Sequence, residues 1–147
     1  MNRSSPRRPP TGFSLIELLA ALTIATLLAA IALPAYQEHV RRTHRAAAQL
    51  ALMEAEHHLH RYHAARLSFA GAALPDALTR VPATGAAVYR LTLALDASQP
   101  QRFTLAATPT GAMQGDRCGT LSVDQTGRRT ISNNAADILP SDCFKAS

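Results

Sequence analysis

The feature that most limits what this chain can become is one apolar block near its start. From Phe13 to Leu33 it reads FSLIELLAALTIATLLAAIAL, with no Gly, no Pro, no basic residue and a single acid, Glu17. At the α-helical rise this block makes a rod of about 32 Å, against a bilayer hydrocarbon core of about 30 Å. Ala and Leu dominate it, so the backbone favours helix. A membrane-spanning helix is the expected outcome. The competing reading is a secretory signal peptide, whose apolar region runs about 7–15 residues before a small-x-small cleavage site. Ala30-Ile31-Ala32 has that form. The block is nevertheless too long, and Glu17 lies near its start, where a signal peptide gains nothing from a carboxylate.

Glu17 is the informative residue. An acid inside a spanning helix costs about 2.5–3.5 kcal/mol on insertion scales and commonly marks function. Closeness to the membrane interface would make it tolerable and nothing more. A cut before Phe13 gives it a sharper role. Phe13 would then carry a free α-ammonium four residues before Glu17, one helical turn away. The carboxylate would neutralise that amine in its own chain or in a neighbour, and a buried acid would become a device for setting helix register.

The residues Gly12-Phe13-Ser14-Leu15-Ile16-Glu17-Leu18-Leu19, after a short basic leader, resemble the prepilin cleavage and methylation signature of the type IV pilin family. The resemblance implies cleavage between Gly12 and Phe13 by a membrane prepilin peptidase, N-methylation of Phe13, and a role for Glu17 in guiding assembly. It also places Pro34 where many pilins have a helix-kinking proline. The division expected is a leader at 1–12, a transmembrane assembly helix at 13–34 and a globular domain at 35–147.

Pro34 removes one helical hydrogen bond, so it should bend or open the helix rather than end it. Beyond it the chain runs for over thirty residues without Gly or Pro. Ala48, Leu52, Ala55, Leu59 and Tyr62 fall on one stripe, and Glu54, His57 and Arg61 on the opposite side. This half reads as an amphipathic helix, and residues 13 to about 66 as a rod on the order of 80 Å. Residues 67–87 mix Gly, Pro and short apolar pieces and read as an irregular connection. Alternation follows. Tyr89, Leu91, Leu93 and Leu95 face one way, with Arg90 and Thr92 opposed, and Phe103, Leu105 and Ala107 repeat the pattern after a turn at 96–100. Leu121 and Val123, then Ile131 after a turn at Gly127, complete four short strands. The expected class is α+β, a long helix laid on a small antiparallel sheet.

Cys118 and Cys143 are the chain's two cysteines. A sequestered pair in a short exported chain reads as a disulfide, worth roughly 3.5 kcal/mol on the chain-entropy model. It would staple the tail, 132–147, to the sheet, as in the disulfide-bounded C-terminal region of type IV pilins. The stretches at 115–121 and 124–127 look most like minor pilins of the PilE kind.

Counting charges at the two ends of the block leaves orientation open: Arg3, Arg7 and Arg8 lie before it, Arg41, Arg42 and Arg45 after. The cysteines place the C-terminal domain in the periplasm or outside the cell. The formal charge is +5, and removing those three leader arginines leaves +2. The other arginines are scattered among acids, so intrinsic nucleic-acid binding is not expected. Glu56, His60 and His63 share a helix face, yet solvated histidines are commoner than a metal site, and no metal or cofactor is expected. No nucleophile elbow or phosphate loop appears, so an enzyme is not expected.

The reading is a structural subunit, of the minor kind, of a type IV pilus. It would pack helix to helix with other pilins and work with a prepilin peptidase and an inner-membrane platform. It would pass from a single-pass inner-membrane state to a surface fibre serving pilus biogenesis, twitching motility, adhesion or DNA uptake. A pseudopilin of a type II secretion system and a signal-anchored periplasmic binding module are the alternatives.

Overall fold

The computed structural model describes residues 13–144. They divide into two compact units, one ending at Glu38 and one beginning at His39, and helix α1 (Leu15–Arg66) contributes to both.

In the first unit α1 is apolar on every side. Leu15, Ile16, Leu18, Leu22, Ile24, Leu28 and Ile31 are all exposed. It is, among the described residues, the one helix long and apolar enough to cross a membrane. A helix greasy all round needs lipid or a bundle of other helices. Its two threonines fit that setting. The Thr23 hydroxyl donates to the Leu19 carbonyl at 2.8 Å and the Thr26 hydroxyl to that of Thr23 at 2.9 Å, so both donors are satisfied within the helix. The helix continues through Pro34 without ending.

In the second unit the predicted stripe is the buried one. Ala48, Leu52, Ala55 and Leu59 lose nearly all their exposure, and Tyr62 packs beside them. Glu54, His57 and Arg61 remain exposed. The sheet beneath has five antiparallel strands in sequence order: β1 (Arg80–Val81), β2 (Tyr89–Leu95), β3 (Phe103–Pro109), β4 (Thr120–Asp124) and β5 (Arg129–Ser132). Tyr89, Leu91, Phe103, Leu105, Ala107, Leu121 and Val123 turn inward and are buried. Leu93 and Ile131 are partly covered, while Leu95, next to the hairpin turn, stays exposed.

Two elements lie where the sequence reads as irregular. β1 falls inside the 67–87 connection. Two residues are too few to alternate visibly, and the strand exists because Arg80 pairs with Arg90 and Val81 with Tyr89. The tail contains a one-turn helix, α2 (Pro140–Cys143), too short to show a period. Phe69, from the same connection as β1, packs edge-on against Phe103 with ring centres 4.8 Å apart and extends the core beyond the sheet.

The turns are built by side chains. The Asp96 carboxylate accepts from the Ser98 amide at 2.9 Å and its hydroxyl at 2.6 Å. Asp124 accepts from the Thr126 amide and hydroxyl at 2.8 and 2.6 Å and from the Arg128 amide at 3.1 Å. These bonds, the Ser98 and Thr126 hydroxyls foremost, hold both carboxyls below the usual carboxylate range.

Candidate functional site

Of the residues expected to carry assembly, Gly12 lies outside the described residues. Phe13 is exposed and precedes the helix. Ser14 is the helix's N-terminal cap. The Ser14 amide donates to Glu17 Oε2 at 2.8 Å, and the Glu17 amide donates to Ser14 Oγ at 3.3 Å. This reciprocal pair is a capping box, which satisfies two of the helix's orphan amides. Its signature, Ser-x-x-Glu, stands in the sequence at 14–17 but is masked there by the apolar run around it. Glu17 is thus tied to its own chain's backbone at the first turn of α1, and Pro34 sits farther along the same helix.

Cys118 and Cys143 are joined, and there are no free cysteines. The bridge sits in a network that the sequence hides. Arg45, one turn before Ala48, lies on the buried stripe of α1 and is only 6% exposed. Its Nε donates to Asp116 Oδ2 at 2.9 Å and its Nη2 to Oδ1 at 2.6 Å, a two-pronged buried ion pair. The Cys118 amide also donates to Asp116, at 3.3 Å. Tyr89 lies close by, fully buried, its hydroxyl without a hydrogen-bond partner of good geometry among the described residues. Burial first, and the Asp116 carboxylate second, push its ionisation above the ordinary tyrosine range. Gln49 donates to the Cys143 carbonyl at 2.8 Å, and Arg129 covers the Phe144 ring at 5.5 Å. The segment around the disulfide is therefore fastened to α1 by the Arg45–Asp116 and Gln49–Cys143 bonds, and to β5 through Arg129 over Phe144. The clue available beforehand is that Arg45 continues the 3-4 spacing of the apolar stripe.

The outer sheet face differs in character. Arg80 and Arg90 are directly opposed on β1 and β2, and Arg90 is exposed. Beside them, Thr108 pairs with Arg90, and Thr92, Ala106, Ser122 and Thr130 form the next row across the sheet. Like charges set opposite one another are unfavourable, and the Arg80 guanidinium donates through Nη2 to the Gly85 carbonyl.

Two histidines near the end of α1, His60 and His63, are engaged with the connection and the core. His63 Nε2 lies 2.6 Å from Gln101 Oε1, and its ring lies against Phe69 with centres 4.6 Å apart. His60 meets Phe69 and Phe103 edge-on and stands 3.8 Å from Glu56. Among the described residues no three His, Cys, Asp or Glu side chains converge in a way that would hold a metal ion.

A helix capped by a serine and an acid at its apolar start, an antiparallel meander and a disulfide-closed C-terminal segment are the features that the type IV pilin resemblance implies. Comparison with known proteins specifies the kind. A model of the prokaryotic N-terminal methylation motif matches residues 7–33, and one described as type IV minor pilin ComP, DNA uptake sequence receptor, matches residues 34–122. The chain belongs to the family of the type IV minor pilin ComP. Among solved structures it is similar to a type IV pilin from Shewanella oneidensis, at 26% identity and a TM-score of 0.50, over 64% of this chain and 94% of that one. It is also similar to the non-core minor pilin PilV of Neisseria meningitidis, at 17% identity and a TM-score of 0.48, over 66% of this chain and 93% of that one. A sequence search of curated proteins finds no match. The chain is accordingly a minor pilin, a membrane-anchored subunit that is processed by a prepilin peptidase and packs with other pilins in the pilus.

Proposed function

We propose that the chain is cut between Gly12 and Phe13, N-methylated at Phe13, and drawn from the inner membrane into a type IV pilus by an assembly platform, its second unit periplasmic before assembly and on the cell-surface fibre after it. The observation that carries this reading is a helix exposed and apolar on all sides, with a lone acid in its first turn. Contacts with lipid are exchanged for contacts with neighbouring helices, and Glu17 is the group that meets a new N-terminal amine. Pro34 supplies a local weak point at which the helix adjusts to its neighbours. The role calls on binding and packing rather than on catalysis. Membership in a minor-pilin family favours the pilus over the secretion pseudopilin or a non-polymerising anchored module. Mass spectrometry of sheared filaments tests it: a mature subunit beginning at methylated Phe13 is expected. Glu17→Ala should remove the subunit from filaments while leaving it in the membrane. Normal incorporation of that variant would overturn the role given to Glu17.

A second reading concerns what the fibre does. The family's description names a DNA uptake sequence receptor, and the opposed Arg80 and Arg90 on a hydroxyl-rich face are suited to straddle a phosphate backbone. This reading departs from the expectation drawn from the scattered charges, since pairing across strands brings together arginines ten residues apart. Binding of duplex DNA to the detergent-solubilised full chain should weaken with salt, and each of Arg80→Ala and Arg90→Ala should lower the salt slope by about one. Unchanged slopes would assign the contact elsewhere.

A further inference from the structure

We infer that Ser14 is a positioning residue for Glu17 in filament assembly, an inference that rests on the assembly reading above. The capping box uses only Ser14 and Glu17. It therefore survives a cut before Phe13, since the Ser14 amide remains a peptide N–H in both precursor and mature chain, and methylation of the Phe13 amine leaves it untouched. A carboxylate offers about four acceptor sites. One of them, on Oε2, accepts from the Ser14 amide and anchors the side chain to its own helix end. The acceptor sites left over are available to an incoming ammonium.

The division has two consequences. In lipid, the acid is not bare before a partner arrives, because a fixed N–H already faces it and the helix's first-turn amides lie close by. At assembly, the carboxylate meets the partner already oriented, so less side-chain freedom is lost on contact. The hydroxyl of Ser14 contributes by accepting the Glu17 amide, which keeps the chain at Ser14 turned so that its own amide reaches the carboxylate. Alanine cannot do this, and threonine can.

The experiment compares Ser14→Ala, Ser14→Thr and Glu17→Gln, alone and as Ser14→Ala/Glu17→Gln, in cells producing the full chain. The fraction of cut, methylated subunits recovered in sheared filaments is measured by intact mass. Ser14→Ala is expected to lower incorporation about fivefold, the population ratio that goes with loss of an N-cap, and Ser14→Thr to restore most of it. In the Glu17→Gln background, Ser14→Ala should add little, because the effect runs through the acid. Full incorporation of Ser14→Ala overturns the proposal, as does an equal fivefold loss added on top of Glu17→Gln. Full incorporation of Glu17→Gln with a defective Ser14→Ala overturns the acid's role instead. Should Ser14→Ala block the cut, amide exchange at residues 14 and 17 decides the matter, with the full chain in detergent micelles. Several-fold faster exchange than in the wild type is expected, and equal rates overturn the proposal.

Discussion

Arg45 and Asp116 stand 71 positions apart in the chain and meet as a buried ion pair. Two charges out of water stabilise a fold only weakly as a pair, but removing one partner of such a pair is strongly destabilising. Arg45→Ala or Asp116→Ala should therefore destabilise the second unit by about 3–5 kcal/mol, read from denaturant midpoints. Tyr89, beside them, has a raised ionisation point. Its contribution is complete below the ordinary tyrosine pKa of about 10 and is lost as pH climbs past it, because the unfolded chain releases that proton first. Urea titrations at pH 9 and pH 11 should accordingly show a smaller loss for Tyr89→Phe than for the wild type. Gly119 is a third constrained residue. It has φ +59°, and a Cβ there would overlap the Ser132 carbonyl oxygen and the backbone of Asn133. Gly119→Ala should shift the loop between the buried Asp116 and β4 and lower thermal stability. An unchanged melting temperature would mean that the loop moves freely.

At the scale of elements, α1 carries two unlike faces in succession, and sequence periodicity shows both. The stripe from Ala48 to Leu59 is legible because helical spacing and apolarity coincide there, and the inward faces of β2, β3 and β4 because alternation does. β1 and α2 were not legible, since two and four residues cannot display a period and both depend on what they pack against. The same limit hid the polar fastening of the disulfide segment. An arginine on an apolar stripe has meaning only once its distant partner is known. The capping box at Ser14 was legible in principle, as both residues lie in one short motif. Leu59 is fully buried at the centre of the helix–sheet contact. Leu59→Ala should cost about 2–5 kcal/mol, and a loss under 1 kcal/mol would mean that the sheet closes over the gap.

For the molecule as a whole, the disulfide closes a loop within the last third of the chain, with a sequence separation of 25. Reduction should lower stability by about 2–5 kcal/mol. Gln49 and Arg129 should keep the released tail near its place in mild conditions, so proteolysis of the reduced chain should begin beyond β5. Every buried residue among those described lies at Arg45 or later. A polypeptide begun at His39 would thus forfeit the greasy anchor and none of its interior. Such a fragment should dissolve in plain buffer as a monomer and melt as one cooperative body. It could still meet whatever its outer sheet face recognises, yet no assembly machine would have anything by which to haul it into a fibre.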